Sequence, residues 1–150
     1  MSVFKRAEVV AEAIGEALGR ITVANGFETD IGATVYYGRT RIEDSEVPCV
    51  VVMEGNDVSE HVARQPVVQV TQRYGLVAWL PCDPEHPNRA AHAAIRDMQR
   101  AIFAADATFG RRATSVRYVG RNIGPRADGA PIVLALIEID VMYPMTLSAP

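Results

Sequence analysis

The fold is decided by the stretch VVQVTQRYGLVAWL, which runs from Val67 to Leu80. Its side chains alternate: Gln69, Thr71, Arg73 and Trp79 point to one face, while the other face receives Val68, Val70, Tyr74, Leu76, Ala78 and Leu80. A period of two residues is typical of a β-strand with one face on the core. We therefore predict one long strand here, with a bulge at Gly75.

The same patterns assign the rest of the chain outward from this strand. Pro81, Pro84 and Pro87 end it, and Asn88 is positioned to cap a second helix. A first amphipathic helix, capped by Ser2, is expected to end at Asn25-Gly26, where glycine favours a left-handed stop. The predicted helices cover 3–22 and 88–104, and the predicted strands cover 33–38, 49–53, 67–80, 113–121 and 131–143.

This order of elements predicts a single α+β domain over residues 1–150, with two main helices on one face of a largely antiparallel or mixed sheet. The chain is long enough to bury a core without disulfides or a metal. We expect that core to contain Val68, Val70, Leu76, Ile95, Met98, Ile137 and Ile139.

Composition excludes several classes of protein. The 150 residues carry a formal charge of −3, which argues against a specific nucleic-acid partner because such proteins normally present a basic face. Apolar runs are too short to span a membrane. Glu8 and Glu12 interrupt the apolar core that a signal peptide needs, so we expect a cytoplasmic protein without a membrane partner.

Catalytic and ligand-binding motifs are weak in this sequence. Cys82 and His86 lie close enough to suggest a nucleophile pair, but the surrounding prolines indicate a structural connection. Neither a glycine-rich phosphate loop nor a zinc spacing of cysteine and histidine occurs. We therefore expect no enzyme activity, no catalytic residues, no cofactor and no metal.

Charged residues form two groups. We expect Arg39, Arg41 and the acidic stretch 43–46 to form a solvated hairpin. The basic group comprises Arg111, Arg112, Arg117, Arg121 and Arg126. Arg117 and Arg121 are predicted to share a strand face; acidic Glu8, Glu12 and Glu16 on the first helix would allow identical subunits to pair head to tail.

The segment NGFETDIGATVY, Asn25 to Tyr36, follows the first helix directly and carries a family resemblance. It resembles the tail terminator proteins of long-tailed bacteriophages, also called tail completion or minor tail protein U-like proteins. The similarity continues through a strand led by Pro48, the long strand after Gln65, the second helix, and Asp128-Gly129 before a final strand ending at Tyr143.

The resemblance implies a virion assembly protein of a phage or prophage, and not an enzyme. Such a subunit forms a hexameric ring on the tail tube, stops tube polymerisation and presents its other face for head joining. Its partners would be itself, the tail tube protein and the head completion protein, first in the host cytoplasm and then in the virion tail. Two alternatives stay open: another neck or tail-tube component, and a small cysteine-dependent enzyme using Cys82 and His86.

Two segments are expected to be long contact loops, 54–65 and 120–130, because they exceed the usual length of strand connections. Both are charged and poorly periodic. The side chains expected to contact neighbouring subunits or the tail tube are Asp57, Glu60, Arg64, Arg121, Arg126 and Asp128.

Overall fold

The computed structural model describes residues 6–61, 66–104, 108–109 and 112–150. The α-helices are α1 (Arg6–Gly19) and α2 (Pro87–Phe103), and the strands are β1 (Val35–Tyr37), β2 (Cys49–His61), β3 (Val67–Pro81), β4 (Ser115–Ile123) and β5 (Ile132–Thr146). The strands form one sheet in the order β1-β2-β3-β5-β4. Among the described strands, β1 and β2 pair in parallel, and the other neighbouring strands pair antiparallel. The predicted α+β class with a mixed sheet is therefore confirmed.

β3 follows the predicted alternation, and its neighbour β5 alternates in the same way. β3 pairs with β5 without interruption from Val67–Thr146 to Pro81–Ile132. Alternate residues of both strands face one core, where they meet side chains of α1 and α2. All seven residues predicted for the core are buried.

Gly75 does not form a bulge, so that part of the prediction is wrong. Its register with both neighbouring strands is regular. A Cβ atom at this position would lie 3.4 Å from Leu136 Cδ1, at van der Waals contact with a side chain of β5.

Helix boundaries differ from the predicted ones at the caps. α2 begins with Pro87 in its first turn and His86 as its N-cap residue, whereas Asn88 was predicted. Proline suits this position because it has no N–H to lose and its φ is already helical. α1 ends at Gly19; the left-handed Gly26, with φ of 88°, closes a separate 3₁₀ turn over Val23–Asn25. The predicted cap Ser2 lies outside the described residues.

The predicted loop over 54–65 is wrong for residues 54–61, which belong to β2. The register of β2 on β3 shifts by one residue between Glu54 and Asp57. The turn-forming Gly55-Asn56 pair therefore produces a bulge instead of ending the strand. Similarly, β4 extends to Ile123, and the predicted 120–130 loop begins only at Gly124.

The mixed-charge segment is not a hairpin, because the strands it joins, β1 and β2, are parallel. It crosses the sheet face opposite the helices, which we call the outer face. There Ile42 packs with Cys49 and Val51 in a second small core that partly covers Trp79. The Arg39 guanidinium holds Glu46 in an ion pair of 2.6 Å and stacks over the Tyr36 ring, which fixes the segment to the sheet.

Candidate interaction surface

The predicted contact residues do not form one site. Asp57 and Glu60 lie in β2, Arg121 lies in β4, and Arg126 and Asp128 lie in the β4–β5 connection; Arg64 lies outside the described residues. β2 meets β3 at one end of the sheet, and the β4–β5 connection lies at the other. The 15 residues of β3 separate these ends by roughly 45 Å.

One margin of the sheet is formed by the second half of β2, residues 54–61, which we call the acidic edge. β1 pairs with β2 only at Val50 to Val52. Beyond that point, no strand in the described parts of the chain lies against this side of β2. Every residue of the acidic edge is exposed, and three are acidic: Glu54, Asp57 and Glu60.

The opposite margin of the sheet is β4, which we call the basic edge. Within the described residues β4 pairs only with β5. Arg117, Tyr118, Val119 and Arg121 are exposed. Among the described strands, none covers the acidic edge beyond β1 or the side of the basic edge away from β5, and the two edges carry opposite charge.

A bulge at Val119 places the two arginines of the basic edge on different faces. Arg117 lies opposite Asp140, on the outer face, whereas Arg121 lies opposite Ile137, which points toward the helices. The prediction that these arginines share a strand face is therefore wrong. Sequence spacing alone did not include the extra residue that the bulge inserts.

The outer face carries an ion cluster that sequence analysis missed. Asp140 Oδ1 accepts from Arg73 Nε at 2.6 Å, and Asp140 Oδ2 accepts from Arg117 Nη2 at 2.8 Å. Arg73 also pairs with Glu138 at 3.2 Å. The hydrogen bond from Arg73 lowers the pKa of Asp140, so the carboxylate stays charged although it is largely buried. Predicting this ion cluster requires the cross-strand register, which a single sequence does not contain.

Arg117 is positioned by this cluster but remains accessible. Its side chain is 73% exposed while one nitrogen is held by Asp140. On the same face, Asn56, Val58 and Thr71 line a shallow cavity of about 280 Å³ that reaches Arg73 and Asp140, the partner of Arg117. The outer face thus has ordered charge close to the acidic edge.

Arg126 is used within the subunit. Its Nη1 donates to the carbonyl of Ala130 at 2.6 Å and to that of Ala127 at 3.1 Å, and Nη2 donates to that of Pro84 at 3.4 Å. These bonds tie the β4–β5 connection to the segment before α2. Asp128, in the same connection, is exposed.

The acidic face proposed on the first helix is partly neutralised by an arginine of the same subunit. Glu16 accepts from Arg112 Nη1 at 3.0 Å, so two members of the predicted acidic and basic groups pair inside one subunit. Glu8 and Glu12 are exposed. The edges of the sheet add to their opposite charge the backbone N–H and C=O groups of edge strands, which a helix surface does not offer.

The candidate nucleophile pair, Cys82 and His86, lies before and at the start of α2, apart from the buried Cys49. Cys82 Sγ donates to the carbonyl of Ala130 at 3.7 Å, and His86 is exposed at the start of α2. Cys49 is fully buried, which raises its pKa to about 11. Within the described residues, no three of the histidine, cysteine and acidic side chains are grouped to hold a metal.

No family model matches the chain, and no curated protein sequence matches it. Among the described helices, neither is long and apolar enough to cross a membrane.

Proposed function

We propose that this chain is a structural subunit of a phage or prophage tail, a tail terminator that forms a ring on the end of the tail tube. The ring stops tube polymerisation and offers its other face for head joining. Its partners are further copies of itself, the tail tube protein and a head completion protein. It acts in the host cytoplasm during assembly and then stays in the virion tail.

The observation that carries this proposal is the pair of oppositely charged free edges on one sheet. A surface that is complementary to a different surface of the same molecule joins copies head to tail, and such contacts close into rings when the rotation fits. The α+β architecture agrees with what the resemblance of Asn25–Tyr36 implies, and supports the same function.

The ends of the subunit also suit a protein between two partners. The β2–β3 end and the β4–β5 connection lie at opposite ends of the sheet. If the strands run roughly along the ring axis, one end meets the tube and the other meets the head. Asp128 and Arg126 belong to one end, and Glu60 lies near the other.

Stopping tube growth is the test of this function. The purified protein is added to polymerising tail tube protein from a phage or prophage that carries this gene, and tube lengths are measured by electron microscopy. We expect short tubes capped by a ring, while an equal amount of an unrelated acidic protein leaves length unchanged. Tubes of unaltered length, with no ring bound, would overturn the proposal.

A second candidate is a neck or tail-tube component that polymerises itself. The same head-to-tail edges favour it if their rotation does not close, because such contacts then produce open filaments. Static light scattering and microscopy of the purified protein distinguish closed rings from filaments of variable length.

A further inference from the structure

We infer that neighbouring copies of this chain join by adding the basic edge of one sheet to the acidic edge of the next, with Asp57 opposite Arg121 and Glu60 opposite Arg117. The inference rests on the proposed ring-forming function and assigns its subunit interface. The partner is a second copy of the same chain.

The edge strands can bind other strands through their backbone groups. An edge strand presents unpaired N–H and C=O groups that can bind another strand, and charged side chains on it prevent unwanted pairing. Two acidic edges repel each other, and so do two basic edges. Only the contact between unlike edges is favourable, which makes the association head to tail.

The directions of β2 and β4 allow these two edges to pair between copies. β2, β3, β5 and β4 are antiparallel in succession, so β4 runs opposite to β2. Rotation about a ring axis along which the strands run preserves their direction from copy to copy. The basic edge of one copy is therefore antiparallel to the acidic edge of the next. This is the sense in which β2, β3, β5 and β4 already pair within one subunit.

The charges of both edges are divided between the two faces of the sheet in the same way. Asp57 pairs with Gln72, on the helix side, and Glu60 pairs with Gln69, on the outer side. Arg121 is likewise on the helix side and Arg117 on the outer side. An antiparallel contact can thus place each carboxylate opposite an arginine on its own face.

The charges on the two edges also have the same spacing along the strands. Asp57 and Glu60 are three residues apart in a regular stretch, and the bulge at Val119 reduces the separation of Arg117 and Arg121 to the same three steps of register. The bulge is therefore the feature that brings both arginines into line with both carboxylates. In this register Val58 lies opposite Gly120, where the missing side chain leaves space.

The same register defines how the copies are offset. Arg121 is level with Leu76 of β3, whereas Asp57 is level with Gln72. Pairing along both full edges therefore shifts each copy along the strands relative to its neighbour. Closed barrels have this stagger because their strands tilt against the axis.

Disulfide trapping tests the register directly. In a Cys82→Ser background, Asp57→Cys protein is mixed with Arg121→Cys protein and oxidised mildly. Directly opposite residues bring their Cβ atoms close enough for a disulfide, so we expect a covalent dimer. The matched control replaces Arg121→Cys by Ser115→Cys, an exposed position at the other end of β4, and should give no dimer.

Charge reversal supplies a second measurement that needs no oxidation. Asp57→Arg and Arg121→Asp should each weaken self-association about tenfold or more, and the double variant should recover most of that loss. Circular dichroism checks that each variant is folded. Recovery would not occur if the two residues contacted different partners.

The outcomes separate this inference from the proposed function. Closed rings that stop tube growth but give neither the disulfide nor charge recovery would overturn the edge pairing and leave the tail terminator function standing. The disulfide with open filaments and no effect on tube growth would support the edge pairing and contradict the tail terminator. A protein that remains monomeric at high concentration, without the disulfide, overturns the inference.

Discussion

The carboxylate of Asp97 binds Thr29, which lies 68 residues earlier in the chain, through two hydrogen bonds of 2.7 Å. One comes from the Thr29 backbone N–H and the other from its hydroxyl. The backbone N–H of Glu28 donates to the same carboxylate at 3.1 Å. Asp97 is fully buried in α2, so this residue fixes the Asn25–Tyr36 segment, on which the family resemblance depends, to the helix layer.

Replacing Asp97 by asparagine should destabilise the protein. The amide keeps one acceptor oxygen but turns an NH₂ group toward donors, so we expect a loss of about 1.5–3 kcal/mol in the free energy of unfolding. Urea unfolding measures it. The control is Glu28→Gln, which breaks an exposed ion pair with Arg96 and should cost about 1 kcal/mol or less. Equal effects of the two variants would contradict this role of Asp97.

Truncation of the core should cost more. Ile95→Ala and Ile137→Ala each remove a fully buried side chain, and transfer and cavity contributions together predict about 2–5 kcal/mol. Val23, which is 57% exposed, provides the control variant Val23→Ala with an expected change of about 0.5 kcal/mol or less. Unchanged unfolding midpoints for both isoleucine variants would show that the core assignment is wrong.

The contrast between β3 and β2 shows how far sequence alone could predict this fold. β3 has one buried face, so apolar and polar residues alternate along its sequence and predict the strand. Residues 54–61 of β2 are exposed on both faces and carry no such pattern. Their strand conformation depends on pairing with β3, which is a property of the whole fold.

The candidate site shows the same division. The exposed charges Asp57, Glu60 and Arg121 were chosen from sequence, but their positions on opposite margins of the sheet follow from strand order. The Arg73–Asp140 pair depends on a register that one sequence does not contain. Asp97 did carry a signal, since it lies three residues after Ala94 and four before Ala101 on the buried stripe of α2.

Arg126 and Arg121 should respond differently to replacement by alanine. Arg126 donates to three backbone carbonyls of its own subunit, so Arg126→Ala should lower the free energy of unfolding by about 1–2 kcal/mol. Arg121 is exposed, and Arg121→Ala should change stability little while weakening self-association. Chemical unfolding and light scattering on both variants test this. Intact stability with lost association in Arg126→Ala would instead favour a contact role for Arg126.

Glu46 should make stability depend on pH in acid. Hydrogen bonds from Arg39, the Glu43 backbone and Tyr36 lower its pKa from 4.5 to about 2. Because the pKa is lower in the folded state, the carboxylate contributes stability above pH 4.5, and that contribution is lost as the pH falls toward 2. The difference in unfolding free energy between wild type and Glu46→Gln should therefore shrink across this range. A difference that stays constant from pH 6 to pH 2 would contradict the assignment.

The two cysteines should differ in reactivity, which also tests the enzyme alternative. Burial raises the pKa of Cys49 to about 11, so in the folded Cys82→Ser variant this thiol should react with a thiol reagent at neutral pH only after denaturant is added. In the Cys49→Ser variant, the half-buried Cys82 should react without denaturant, no faster than an ordinary free thiol. Alkylation of Cys82 much faster than that, sensitive to His86→Ala, would favour a nucleophilic cysteine over a purely structural protein, because such a rate requires a depressed thiol pKa.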